Sequence, residues 1–157
     1  MNFVIQRVTS ASVDVNENGE IKETGRIDLG FVVLIGISKG DNKDIADKLV
    51  HKLINLRIFQ DQEGKTNLNI DAVNGKMLLV SQFTLYADCK HGNRPSFTDA
   101  GEPKEAEALY NYIVEKCKDA LNHGEESRVA TGVFGGDMTI NLVNQGPFTI
   151  ILDSDKL

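Results

Sequence analysis

Phe31-Val32-Val33-Leu34-Ile35-Gly36-Ile37 is a nearly continuous apolar run, and its reading decides the fold. A strand with one wet face alternates polar and apolar residues, so an unbroken run predicts a strand covered on both faces. Upstream, Phe3 to Val15 alternates imperfectly and is rich in β-branched residues (Val4, Ile5, Val8, Thr9, Val13, Val15), which suits a half-buried sheet. Asn16-Glu17-Asn18-Gly19 reads as its hairpin turn, because Asn-Gly supplies the positive φ values that tight hairpins require. The next strand spans Ile21 to Leu29. Downstream, Asp41 precedes Ile45, Ala46, Leu49, Val50, Leu53 and Ile54, an i, i+4 stripe that predicts a helix capped at Asp41, with Asp44 in the reciprocal capping-box position. Arg57-Ile58-Phe59 reads as a short strand before the turn Asp61-Gln62-Glu63-Gly64, and Lys76 to Tyr86 as the clearest long strand. Pro103 opens a second helix through Ala106, Leu109, Tyr110, Ile113, Cys117 and Ala120, which ends near His123-Gly124. Strands follow at Arg128–Phe134, Met138–Val143 and Phe148–Leu152, broken by Gly135-Gly136 and Gly146-Pro147. About seven strands and two helices in this order predict an α+β fold, an antiparallel-rich curved sheet or β-barrel flanked by two helices.

The length of 157 residues suits a single domain, 1–157, since a core of this size needs no disulfide or metal staple. With 17 Lys and Arg against 23 Asp and Glu the net charge is −6, which excludes a generally basic nucleic-acid coat but not a local basic patch. The N-terminus lacks a signal-peptide pattern. Two cysteines, Cys89 and Cys117, do not make a disulfide framework, so the expected compartment is the reducing cytoplasm. The runs FVVLIGI and KMLLV are far shorter than the roughly 18–20 residues of a membrane span, and no membrane association is expected.

No C-x-x-C or H-E-x-x-H spacing joins the two cysteines with His51, His91 and His123, so no metal site is expected. His51 falls on a polar helix side and His123 at a helix end, where the dipole favours it. Thr131-Gly132-Val133-Phe134-Gly135-Gly136 lacks either phosphate-loop order and reads as a bend or bulge, or as a close backbone approach to a ligand. Ser81-Gln82-Phe83-Thr84-Leu85 sets hydroxyls into an apolar strand. By alternation Gln82 and Thr84 share one face, and Ser81, Phe83 and Leu85 the other. Buried hydroxyls need partners, so they are satisfied locally or aimed at a site. No G-x-S-x-G elbow or poised histidine accompanies them. Pro147 interrupts a strand that it cannot support with a donor, and Gly146-Pro147 is a plausible cis peptide. Arg7, Lys90, His91 and Arg94 are candidates for a local positive patch.

Six blocks in order along nearly the whole chain carry a resemblance: Gln6-Arg7-Val8 with Ala11-Ser12-Val13, Leu56-Arg57-Ile58-Phe59, Ser81 to Ala87, Arg94-Pro95-Ser96-Phe97, Thr131 to Gly135, and Asn144-x-Gly146-Pro147-x-Thr149. Together they resemble the D-aminoacyl-tRNA deacylases. Phe148 departs from the Val that is commoner there, and it remains apolar. The resemblance implies a homodimer with active sites at the interface. In it a cis Gly146-Pro147 enters the partner's pocket and meets the substrate's α-amino group with carbonyls, so that an L side chain clashes. It further implies Ser81, Gln82, Phe83 and Thr84 as catalytic residues, Phe134, Ala100 and Met138 as substrate-binding, and Arg7 as a brace for the Gly-Pro loop. The 3′ end of aminoacyl-tRNA is the implied partner, with no DNA and no cofactor. Lys90 and Arg94 are expected to hold a few phosphates. Glycine, having no side chain to exclude, is expected to be released as well, as from mischarged tRNA(Ala). An aminoacyl ester is already activated, so oriented water and oxyanion donors suffice, with the terminal 2′-OH taking the proton; covalent attack by Thr84 is the alternative. Two rivals remain open: a catalytically silent RNA-binding protein on the same fold, and a general Ser/Thr esterase of small esters.

Overall fold

The computed structural model describes residues 1–124 and 126–157. Strand β1 (Asn2–Glu17) is the spine. Its C-terminal half forms a hairpin with β2 (Glu20–Ile27), and its N-terminal half pairs antiparallel with β3 (Gly30–Gly36), in register Phe3 to Ile35 and Ile5 to Val33. The hairpin turn uses the left-handed region at Asn18 (φ 55°) and Gly19 (φ 91°), as the Asn-Gly pair requires.

After β3 the chain rises through α1 (Lys43–Ile54) and returns through the short pair β4 (Phe59–Gln60) and β5 (Thr66–Leu68) to β6 (Lys76–Ser81). β6 lies parallel to β3, Val33 opposite Leu79. It then crosses over through α2 (Pro103–Leu121) to β7 (Val129–Thr131), again parallel. Parallel neighbours need crossovers of this kind, and both helices therefore cover one face of the sheet. β8 (Met138–Asp153) closes the order by running antiparallel to almost the whole of β1, and no strand among the described residues pairs with its other edge.

The unbroken apolar runs are covered on both faces, as expected. Phe31, Val33 and Ile35 of β3 and Met77 and Leu79 of β6 join Leu49, Leu53 and Ile113 in the core under the helices. Val32, Leu78 and Val80 point the other way, into a second core with Val8, Val13 and Ile27 inside the curl of the sheet. Each such side chain, taken from water, is worth about 1.5–3 kcal/mol. The curl brings β2 against β7: a Cβ built on Gly25 would stand 2.8 Å from the Thr131 carbonyl oxygen. The result is the expected barrel-like sheet with two helices, nearly closed and with parallel pairs inserted.

Several boundaries differ from the sequence reading. The strand expected over Lys76–Tyr86 stops at Ser81 because its neighbour β3 has ended. Gln82 N–H donates to the Ile35 carbonyl at 2.8 Å, and Phe83–Tyr86 winds into a 3₁₀ turn. α1 is capped by Asn42, whose Oδ1 accepts from Ile45 N–H at 3.1 Å, and not by Asp41. Asp41 instead pairs with the Met1 ammonium at 2.8 Å and accepts from Ser38 N–H at 2.6 Å. The strand expected from Arg128 to Phe134 shrinks to β7. The two strands expected either side of Gly146-Pro147 are one β8, from which Gln145 to Phe148 stand out: Asn144 pairs with Val8 and Thr149 with Gln6, so four residues oppose Arg7 alone. Cys89 is exposed, Cys117 is buried, and both are free.

Gly25→Val is expected to lower stability by about 1–3 kcal/mol, since the atom nearest the new Cβ is a main-chain carbonyl oxygen that cannot swing aside; urea unfolding measures it.

Candidate active site

A pocket of about 680 Å³ opens where the parallel strands β3 and β6 finish. Carboxyl ends of parallel strands leave a crevice because the chain departs there toward the covering helices. Ile35, Ile37 and Ser81-Gln82-Phe83 line one side, Phe97, Thr98 and Ala100 to Pro103 with Ala106 a second, and Phe134 to Gly136 with Met138 and Ile140 a third. The second wall is tied to the sheet: Gly101 N–H donates to the Ile37 carbonyl at 2.9 Å, Lys39 N–H to the Asp99 carbonyl at 3.2 Å, and Ser38 bridges to Ala100.

Glycines set the approach of these walls. A Cβ on Gly36 would stand 2.9 Å from the Leu85 Cβ, so the 3₁₀ turn can fold down over β3 only on a bare backbone. Gly132 would carry its Cβ 2.5 Å from Met138 Sδ, so Met138 reaches the pocket by lying across it. Phe134, held by the turn after it (Gly136 N–H to the Val133 carbonyl, 3.1 Å), leans on Tyr110 with ring centroids 5.9 Å apart. The Tyr110 hydroxyl donates to the Leu79 carbonyl at 2.9 Å, and burial raises its pKa so that it stays a donor.

Phe83 and Thr84 open the 3₁₀ turn, and the first N–H groups of a helical turn lack intrahelical acceptors. Their donors lie beside Ser81 and Gln82. The Gln82 Nε2 amide donates to Thr84 Oγ1 at 2.6 Å, so these side chains meet although the strand alternation that predicted a shared face is broken. Phe83 is 58% exposed and meets Phe97 edge-on at 5.1 Å. Lys39 and Glu102 are the titratable side chains of the lining, no histidine or cysteine belongs to it, and no cluster of metal-ligating residues occurs among the described residues.

The expected residues thus fall into two groups. Ser81, Gln82, Phe83, Ala100, Phe134 and Met138 share the pocket, with Thr84 beside it. Gly146, Pro147 and Arg7 do not line it. The Gly146-Pro147 peptide is cis and exposed on β8. Beneath it Arg7 is only 5% exposed, its guanidinium stacked on Phe148 (4.3 Å to the ring centroid) and donating to the carbonyls of Ile58 and, at 3.4 Å, Gly146. No carboxylate pairs with it among the described residues, and burial lowers its pKa. Asn144 Nδ2 completes the brace, donating to the Arg7 carbonyl at 3.0 Å and the Phe148 carbonyl at 3.3 Å. Lys39, Thr98, Gly101 and Glu102 were not foreseen. For Glu102 the signal was its position before Pro103 at a helix start; Lys39 carried none.

A nearly closed sheet with two helices on one face thus carries a pocket lined by Ser81 and Gln82 at the ends of its parallel strands. The sequence model described as D-Tyr-tRNA(Tyr) deacylase matches residues 4–153, and the chain belongs to that family. A D-aminoacyl-tRNA deacylase of Thermosipho melanesiensis is 48% identical over all of this chain and 99% of its own, and one of Syntrophomonas wolfei is also 48% identical with the same coverage. A solved structure named c-Myc DNA Unwinding Element Binding Protein shares 36% identity at a TM-score of 0.86, covering 98% of both chains. A second, described as a probable eukaryotic D-amino acid tRNA deacylase, is 19% identical with a TM-score of 0.78 over 96% of this chain and 97% of its own, a likeness of fold.

Arg7→Lys keeps a charge but loses the planar fork and the stack on Phe148. It is expected to cost about 1–3 kcal/mol of stability, read by chemical denaturation, and to lower turnover.

Proposed function

We propose that this hydrolase frees D-amino acids and glycine from the 3′ end of tRNA, with the hand of the substrate judged by main chain rather than by a side chain. The observation that carries the reading is the exposed Gly146-Pro147 projection, braced by a buried arginine and lying outside the pocket of its own chain. In a homodimer this projection enters the partner's pocket and offers carbonyl oxygens to the substrate's α-ammonium group. A side chain of L configuration then meets backbone held from below by Arg7, Phe148 and Asn144, while a hydrogen or a D side chain is accommodated.

For the chemical step, the Phe83 and Thr84 N–H groups, with the Ser81 hydroxyl, stabilise the oxyanion formed when water adds to the ester carbonyl. The Ser81 and Gln82 side chains orient the ester, and Phe134, Met138 and the Ala100 segment seat the terminal nucleoside. The pocket lining offers no histidine as base, so the 2′-OH of the terminal ribose relays the proton from water to the leaving 3′ oxygen. Thr84 is poorly suited to covalent attack: its Oγ1 accepts from the Gln82 amide, a group that cannot deprotonate it. The site of action is the cytoplasm, in keeping with the absence, among the described residues, of any helix long and apolar enough to cross a membrane.

The test is a time course of D-tyrosyl-, L-tyrosyl- and glycyl-tRNA hydrolysis by wild type and Pro147→Ala, with a mixture of Gln82→Ala and Pro147→Ala subunits as a third sample. Fast release of D-tyrosine and glycine, negligible release of L-tyrosine, damaged discrimination in Pro147→Ala and partial recovery in the mixture are expected. Equal release of both hands refutes the backbone filter. Full activity in dilute monomer refutes the shared site.

A further inference from the structure

We infer that the loop Asp88–Ser96, with Phe97 at its foot, is a track for the unpaired RNA strand that leads into the pocket, holding its phosphodiesters through Lys90 and Arg94. The inference rests on the reading of the pocket as the seat of the 3′ end of charged tRNA and names what holds the rest of that substrate.

The loop leaves the 3₁₀ turn that carries Phe83 and returns into the wall that begins at Phe97, so both its ends are pocket rim. Its base is clamped by reciprocal hydrogen bonds, Asp88 N–H to the Ser96 carbonyl at 2.7 Å and Ser96 N–H to the Asp88 carbonyl at 2.9 Å. The Asp88 carboxylate turns in upon Lys90 N–H at 2.8 Å. Everything from Cys89 to Asp99 is exposed, so a fixed base carries a projecting tip. On that tip Lys90 and Arg94 have no carboxylate within ion-pair distance among the described residues. At the rim Phe97 (37% exposed) and Phe83 (58%) leave bare aromatic surface at the pocket mouth. Unpaired cations beyond a rim of bare aromatics are the pattern that binds single-stranded RNA, by stacking and by counterion release. A terminal nucleoside seated in a pocket of about 680 Å³ sends the strand before it out across the mouth, where Phe83 and Phe97 stand. Two phosphate contacts also fit a chain of net charge −6, whose surface is not generally basic.

The experiment compares kcat/KM on D-tyrosyl-tRNA and on the minimal ester 3′-O-(D-tyrosyl)adenosine, for wild type, Lys90→Ala/Arg94→Ala and the charge-keeping Lys90→Arg/Arg94→Lys, from 50 to 200 mM salt. The double alanine variant is expected to lose about tenfold or more on tRNA, through KM, with its salt slope shallower by about 1.4, or about 0.7 per phosphate contact. Its activity on the minimal ester stays at the wild-type value, and the charge-keeping variant retains both. An equal loss on both esters, or no loss on tRNA, overturns the inference. A wild type inert toward both esters refutes the deacylase reading instead. In that case salt-dependent binding of uncharged tRNA decides for the loop: weakening in the double alanine variant supports it, and unchanged binding overturns it.

Discussion

A strand paired along both edges has no freedom of register, and β1 is such a strand. β3 and β2 hold one side and β8 the other, so any surplus residue in a partner must leave the plane of the sheet. β8 has four residues where β1 presents only Arg7, and Gln145 to Phe148 go outward because nothing else is open to them. Arg7 then does two things at once. Its backbone keeps the flanking pairs in place, and its side chain fills the space beneath the excursion, stacked on Phe148 and donating to the Gly146 carbonyl. A buried guanidinium served by carbonyls and a ring, with no carboxylate among the described residues, is costly, and it persists here where it fixes the position of an exposed peptide.

The same economy of backbone governs the pocket. Its walls meet at strand ends, and two glycines, Gly36 and Gly132, let the Leu85 and Met138 side chains approach where a methyl group would collide. Apolar residues on both sides of β3 and β6 lock those strands between two cores, so Ser81 and the turn after it are held by a scaffold with little slack. Polar groups around Ser81 are few: main-chain donors, a hydroxyl and the Gln82 amide, with Lys39 and Glu102 the charged side chains of the lining. They are positioned by packing rather than by a network of charges, which suits a reaction whose bond is already activated.

Much of this was legible in the chain. The unbroken apolar runs disclosed a doubly covered sheet, and the helical stripes disclosed two helices to cover it. What stayed hidden were endings. Phe83 and Leu85 continue the alternation of β6, so nothing local announces that β3 has run out and that the strand must stop at Ser81. Asp41 and Asn42 are both good caps, and only the folded chain, by occupying Asp41 with the Met1 ammonium and Ser38, leaves the cap to Asn42. Pro147 looked like a break between strands because a sequence cannot say that both flanks share one partner. Among site residues, the pocket group gathered around Ser81 followed from short blocks of sequence, whereas Lys39 reaches the pocket through tertiary packing alone.

The open edge of β8 has one more consequence. Sixteen residues of strand with an unpaired side, and with Val143 and Ile151 exposed on it, form a template onto which other chains could add without limit. The excursion at Gln145–Phe148 cuts this template in two, and Pro147 removes a donor at the cut. No foreign strand can zip along the whole edge: the remaining pieces, Met138–Asn144 and Thr149–Asp153, are no longer than ordinary strands. The peptide that projects from the sheet therefore also divides a long edge that a nearly closed barrel leaves open.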